Sequence, residues 1–222
     1  MKELADGLYQ VPGFPPNAIN IYLAGDVLID AGTRYSGGRI LKHLKGRPVA
    51  AHALTHGHPD HQGASRFVCD ELHVPLWCGE GDADAVEAGD LRPCMPDSPI
   101  AHVSRRLMAG PACPVAKRLR EGDEVGGFAV IETPGHSPGH VAFWRASDRT
   151  LILGDVLNGM NLMTSWPGLH EPPTFFTRDP ARNRDSARKL APLEPALVCF
   201  GHGPPLRDTK RFVEFVERLA DR

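Results

Sequence analysis

Four times in this chain an apolar, strand-like run ends on histidine or aspartate. Val49 to Leu54 leads into Thr55-His56-Gly57-His58-Pro59-Asp60-His61, and Phe128 to Glu132 into Thr133-Pro134-Gly135-His136, with His140 four residues on. Leu151 to Leu153 leads into Gly154-Asp155, and Leu197 to Phe200 into Gly201-His202. Loops beyond strand ends are where α/β sheets carry their sites. The fold must therefore be one that can gather four strand ends, distant in sequence, at one place.

The rest of the chain narrows the architecture. With 23 Gly and 21 Pro, the elements have to be short and the loops many. Gly7 to Val11, Ala18 to Leu23 and Val27 to Asp30 read as strands, the last two joined by the turn Ala24-Gly25-Asp26, which gives an antiparallel opening. Helices are expected over Gly38 to Leu44 and about Asp60 to Leu72. Glu80, Asp82, Asp84, Glu87 and Asp90, within Gly79 to Asp97, face only Arg92 and read as a solvated helix and loop. Strands return at Phe128 to Glu132, Val141 to Trp144 and Leu151 to Leu153. A helix then follows from Asp179 to Leu190, with Asp179 as N-cap and Pro180 just inside it. Leu197 to Phe200 reads as a buried strand and Asp208 to Leu219 as a closing amphipathic helix. Strands then helices occur twice, which predicts a layered α/β domain of two related halves, with residues 1–222 forming one domain.

Composition removes several classes of function. The net charge of -2 supplies no field that would gather nucleic acid or an anionic membrane. The longest apolar runs, such as Ala196 to Phe200, are far below the roughly 20 residues of a membrane helix. Lys2, Glu3 and Asp6 interrupt the N-terminus where a secretory signal would be continuously apolar, so a cytoplasmic location is expected. Cys69, Cys78, Cys94, Cys113 and Cys199 are scattered and odd in number, and read as reduced thiols used as small apolar residues.

The clusters themselves indicate metal chemistry. In an extended His56-Gly57-His58 the period of two points both imidazoles to one side, where they can share an ion. Asp60 and His61 sit at the turn into a helix and can face a second ion. This spacing suits two metals better than one. His52, His73, His102 and His170 have no partner at ligand spacing and are left out of the site.

Together, His56-Gly57-His58-Pro59-Asp60-His61, Thr133 to His140, Gly154-Asp155 and Gly201-His202-Gly203-Pro204-Pro205 resemble the ordered motifs of the metallo-β-lactamase superfamily. The resemblance implies a four-layer αββα sandwich with a metal pair at one edge. His56, His58 and His136 would hold the first ion, Asp60, His61 and His202 the second, and Asp155 would bridge them. Asp30 resembles the family's supporting aspartate, which is not a ligand. His140, four residues after His136 and past Pro138-Gly139, reads either as a group that orients a ligand through its other ring nitrogen or as a hydrogen-bonded buried histidine that opens the next strand. Nitrogen and carboxylate donors without thiolate suit zinc first, two ions per chain, with iron or manganese possible. A glutamate at the position of His58 would mark a related di-iron branch, so the histidine leans further toward zinc. A hydroxide between the ions would attack an ester, thioester or lactone carbonyl, and Asp60 is the candidate to accept and return a proton.

The expected activity is therefore a glyoxalase II-like, metal-dependent hydrolysis of a small ester or thioester. A mononuclear iron persulfide dioxygenase, a lactonase and a metal-stabilised sensing protein are the alternatives. About twenty residues follow His202, which argues against the glutathione-holding helical region of glyoxalase II. Tyr9, Tyr22 and Tyr35 all precede the motifs, which leaves a lactonase without its second-half tyrosine. The stretch from Asp155 to Pro180, with Met160, Met163, Trp166, Phe175 and Phe176, reads either as a binding loop or lid for a small-molecule substrate or as a hydrophobic flap packing on the domain's own core.

Overall fold

Tight turns build the first sheet. In the computed structural model, which describes residues 1–219, strands β1 (Lys2–Ala5), β2 (Leu8–Val11), β3 (Ile21–Ala24) and β4 (Val27–Ile29) pair antiparallel in sequence order. Helix α1 (Gly37–Leu44) leads to β5 (Ala51–Ala53), then α2 (Pro59–Gln62), α3 (Ser65–Leu72), β6 (Leu76–Gly79), α4 (Glu80–Ala88), α5 (Pro99–Met108) and β7 (Val115–Leu119). Strands β5, β6 and β7 add to β4 in parallel, completing a seven-stranded sheet.

The second half repeats the plan. It contains β8 (Glu124–Val125), β9 (Phe128–Glu132), β10 (Val141–Arg145), β11 (Thr150–Gly154), a small hairpin of β12 (Asn158–Met160) and β13 (Pro167–His170), α6 (Pro180–Leu190), β14 (Leu197–Phe200) and α7 (Thr209–Leu219). Its five-stranded sheet runs β14-β11-β10-β9-β8. Asp179 caps α6 by accepting from the Arg182 N–H at 3.0 Å, as its Asp-Pro start predicts.

Three apolar layers fix the order of the elements. Leu8, Tyr22, Ile29 and Ala53 of the first sheet pack with Phe128, Phe143, Ile152 and Cys199 of the second. Ile40 and Leu44 of α1 and Val68 of α3 cover the outer face of the first sheet at Ile21, Leu23 and Leu28. Ala187, Leu190, Phe212 and Val216 of α6 and α7 cover the second at Leu151, Leu153, Val198 and Phe200. The result is helix, sheet, sheet, helix, the αββα sandwich expected above. Phe128, Phe143 and Phe200 are completely buried, each contributing roughly 1.5–3 kcal/mol relative to an exposed ring.

The structure departs from the sequence reading in several places. The helix expected over Asp60 to Leu72 is two helices, because Gly63 packs backbone to backbone. A Cβ there would lie 2.4 Å from the Arg34 amide nitrogen and 2.6 Å from the Met108 carbonyl oxygen. The strand expected from Ala18 starts only at Ile21, since Ala18 and Asn20 bond the loop that carries His202. Strands β1, β6, β7 and β8, the β12–β13 hairpin and α5 are additions. The five cysteines are free, and no helix among the described residues is long and apolar enough to cross a membrane.

Candidate metal centre

All seven side chains singled out by sequence meet at the ends of β5, β9, β11 and β14. Three overlapping groups have donor atoms mutually within 4.8 Å: His56, His58 and His136; Asp60, His61 and His202; and His56, His61 and Asp155. The His56 ring centroid lies 4.4 Å from that of His58 and 4.1 Å from that of His61. Asp155 spans the halves, its Oδ2 3.1 Å from His202 Nε2 and 3.5 Å from His136 Nε2, and its Oδ1 3.7 Å from His61 Nε2. Gly201 makes this possible, since a Cβ at that position would lie 2.0 Å from Asp155 Oδ1.

Protein acceptors commit one nitrogen of every imidazole in the set, which frees the other for the centre. The Thr55 hydroxyl donates to Asp30 Oδ2 at 2.8 Å, so its oxygen accepts from His56 Nδ1 at 3.0 Å and leaves Nε2 bare. His61 Nδ1 donates to the same Asp30 oxygen at 2.8 Å. The Thr177 hydroxyl donates to the Pro173 carbonyl and so accepts from His136 Nδ1 at 3.2 Å. His58 Nε2 donates to the Cys94 carbonyl, leaving Nδ1 free, and His202 Nδ1 donates to the Ala18 carbonyl. Such partners fix tautomer and ring orientation around a metal.

A cation accounts for what these bonds leave over. His56 Nε2, His136 Nε2 and Asp155 Oδ1 are buried and have no hydrogen-bond partner. Buried polar atoms of this kind are costly and rare unless something meets them. Five imidazoles and two carboxylates converge here, and once His61 and His202 give up the protons that the carboxylates hold on them, their lone pairs fit divalent metal ions.

The electrostatics divide the set in two. Burial, reinforced by the neighbouring rings, holds His56 and His136 well below the usual imidazole range, and burial also lowers His58 against the pull of Asp60. Burial pushes His61 down too, but the Asp30, Asp155 and Asp60 carboxylates outweigh it and raise His61 to about 9. His202 is raised well above its ordinary value because Asp155 and Asp60 outweigh its burial. Burial would raise Asp60 and Asp155, yet His61 and His202 hold both below the usual carboxylate range.

His140 is neutral, since burial lowers it to about 3. Its Nδ1 donates to Thr133 at 2.8 Å and its Nε2 accepts the Asp155 N–H at 3.0 Å, so it places the Asp155 backbone and has no nitrogen left for an ion. Asp82 corrects the reading of 79–97 as solvated. It is completely buried and accepts from the Gly57 N–H at 2.8 Å, the Gly139 N–H at 2.7 Å and the Ser137 hydroxyl. It thereby ties the loop of His56 and His58 to that of His136. The signal was available, because Asp82 shares a helical face with Val86 one turn on. His52 is a satisfied core residue bonded to the Leu28 carbonyl and the Ser65 hydroxyl.

Over the centre lies a cavity of about 60 Å³ lined by Met95, Ser104, Met108, Leu162 and Phe176 together with His58, Asp60, His136, Asp155 and His202. The 156–180 stretch thus supplies Leu162 and Phe176, whereas Met163 and Trp166 face solvent at 73% and 74% exposure.

Known proteins are similar to this chain in both sequence and fold. Residues 14–202 match the family model described as the metallo-beta-lactamase superfamily. A probable metallo-hydrolase of Bacillus subtilis, YflN, is 32% identical over 216 residues, covering 88% of this chain and 81% of that protein. A hydroxyacylglutathione hydrolase of Bdellovibrio bacteriovorus is 28% identical over 180 residues, covering 78% of this chain and 56% of that protein. The crystal structure of TTHA1623 in a di-iron-bound form superposes with a TM-score of 0.68 at 30% identity, covering 90% of this chain and 94% of the other. The sandwich, the four histidine- and aspartate-bearing strand ends and the length of the match lead to one statement: this chain belongs to the metallo-beta-lactamase superfamily.

Proposed function

We propose that the protein is a dinuclear metallo-hydrolase that cleaves a small ester or thioester. The observation that carries this reading is the second triplet, Asp60, His61 and His202, beside the first. A mononuclear iron dioxygenase would have no use for it. The names of YflN and of the Bdellovibrio hydrolase agree with a hydrolytic reaction. Zinc is our first assignment from the donor set, and the di-iron form of TTHA1623 makes iron the alternative.

His56, His58 and His136 would hold one ion, Asp60, His61 and His202 the other, with Asp155 between them. When bound, such a pair supplies Lewis acidity and lowers the pKa of water towards roughly 7. In the net reaction water adds to the acyl carbon, the C–O or C–S bond breaks, and an acid and an alcohol or thiol leave. Asp60, whose side chain is 20% exposed and lies 3.3 Å from His202 Nε2, is the carboxylate open to the cavity. It takes the proton of the attacking water and returns it to the departing oxygen or sulfur. Met95, Met108, Leu162 and Phe176 exclude bulk water, which strengthens each polar interaction inside.

Chelation with verified metal removal is expected to abolish turnover of phenyl and thiophenyl esters, and about two equivalents of zinc or iron to restore it. Full turnover by the stripped protein would refute the reading, and so would one iron with persulfide-dependent oxygen uptake.

Metal uptake should also release protons unequally. At pH 7 His61 and His202 are protonated in the metal-free protein, whereas His56, His58 and His136 are not. The first equivalent should therefore release about no protons and the second about two, since ligating imidazoles must be neutral. Calorimetry in buffers of different ionisation enthalpy reads this number, which should fall as the pH rises through about 9, where His61 loses its proton unaided. Over the same range the metal-free fold loses stability. A raised imidazole pKa stabilises fully below 6.5, and the contribution is lost as pH climbs through about 9.

A further inference from the structure

We infer that Ser104 donates the hydrogen bond that orients the substrate carbonyl, and that the group attached to that carbonyl is small, uncharged and apolar. The inference deepens the hydrolase reading and rests on it for the identity of the reacting group.

Elimination within the cavity singles out Ser104. Of the ten residues lining it, five are candidate ligands whose polar atoms face the centre or are bonded to the protein, and four are Met95, Met108, Leu162 and Phe176. Ser104 is the tenth, and its hydroxyl is the one side-chain donor there outside the ligand set. The residue is 6% exposed, and its hydroxyl makes no hydrogen bond among the described residues, although its backbone lies within α5. A helical serine usually bonds back to the carbonyl one turn earlier. Here that bond is missing, which leaves the hydroxyl free for a guest.

Helix α5 places it there. Ser98 caps the helix, accepting from the Ala101 N–H at 3.1 Å and donating to the Phe175 carbonyl at 3.0 Å, which pins α5 to the segment that carries Phe176. Ala101, Ser104 and Met108 then lie at i, i+3 and i+7 on the inner face, while Ile100, Val103 and Leu107 are turned to solvent. A hydroxyl in an otherwise apolar wall gains strength from the low local dielectric, and it gains most where charge grows on the carbonyl oxygen.

The same walls set the substrate class. No arginine or lysine lines the cavity, so a carboxylate on the acyl group would face two thioethers, a leucine and a phenyl ring. At about 60 Å³ the space is well below the roughly 300–1,000 Å³ of sites for drug-sized ligands, so the acyl group has to be short. Methionines at two of the four apolar positions let it adjust to that group's shape.

The test uses zinc-loaded protein and two probes of equal length, butyrohydroxamate and the monohydroxamate of succinate, whose binding by calorimetry needs no turnover. The neutral probe should bind at least about tenfold tighter, and Ser104→Ala should weaken it about tenfold with metal content unchanged. Ser104→Thr, which keeps the hydroxyl, should restore most of the affinity. With butyryl and succinyl phenyl esters, Ser104→Ala should lower kcat about ten- to a hundredfold while KM stays within about twofold. Equal or reversed probe affinities overturn the substrate class. Unchanged affinity and kcat in Ser104→Ala, or no recovery with threonine, overturn the role of Ser104. If no ester or thioester is cleaved while the probe preference and its loss in Ser104→Ala persist, the hydrolase reading fails and the pocket assignment stands.

Discussion

An Asp155→Ala variant is expected to bind fewer than two metal equivalents and to lose more than about a hundredfold in turnover. Groups that merely support a ligand are worth roughly 10- to 100-fold, and Asp155 stands one step closer. Its carboxylate reaches His202 at 3.1 Å, His136 at 3.5 Å and His61 at 3.7 Å, so it is the one side chain that belongs to both halves of the centre. Removing it also takes away the largest influence that holds a proton on His202, so the metal-free variant should release fewer protons on binding. Elemental analysis and proton-release calorimetry on one preparation check both effects. Two retained equivalents with turnover within about tenfold of the parent protein would show that Asp155 bridges nothing.

The candidate ligands, and their convergence on one place, were legible in the sequence because both depend on local rules. His56 and His58 share a side through the extended period of two, and each remaining candidate follows a short apolar strand closed by Gly or Pro. Of the strands with the strongest signals, β11 and β14 are buried along their whole length and β10 over its first three residues, where apolar runs are least ambiguous, while β9 alternates between core and solvent. What escaped depends on tertiary contact. The helical face that Asp82 shares with Val86 signals its burial, but what it braces depends on the approach of the 137–139 loop. Helix α5 carried a legible start at Ser98-Pro99, but its outer Ile100, Val103 and Leu107 blur the amphipathic pattern that periodicity needs. The strand misplaced at Ala18 failed for a functional reason, since its backbone carbonyl is spent on His202.

Asp30→Asn should separate support from ligation. Asp30 has a left-handed backbone with φ of 60°, a conformation asparagine also tolerates, so the change leaves the turn intact and alters the acceptor count. The aspartate accepts from the Thr55 N–H on Oδ1 and from the Thr55 hydroxyl and His61 Nδ1 on Oδ2, each at 2.8 Å. An amide has one acceptor oxygen for these three donors. In either rotamer its NH₂ meets a donor, and a buried mismatch of this kind costs roughly 1–3 kcal/mol. The bond lost determines which ion is affected. With the NH₂ at the Oδ2 position His61 loses its acceptor directly and His56 only through the Thr55 hydroxyl, so the second equivalent should weaken by roughly 10- to 100-fold and the first by less; with the NH₂ at Oδ1 only the Thr55 N–H is mismatched and both ions keep their ligands oriented. Chelator competition resolves the two equivalents, and thermal unfolding of the metal-free protein reads the hydrogen-bond penalty separately. Unchanged affinity for both ions in a destabilised variant would mean either that the NH₂ sits at Oδ1 or that Asp30 braces the fold and not the centre. Loss confined to the second ion would establish that one buried carboxylate sets the tautomer on which that half of the site depends.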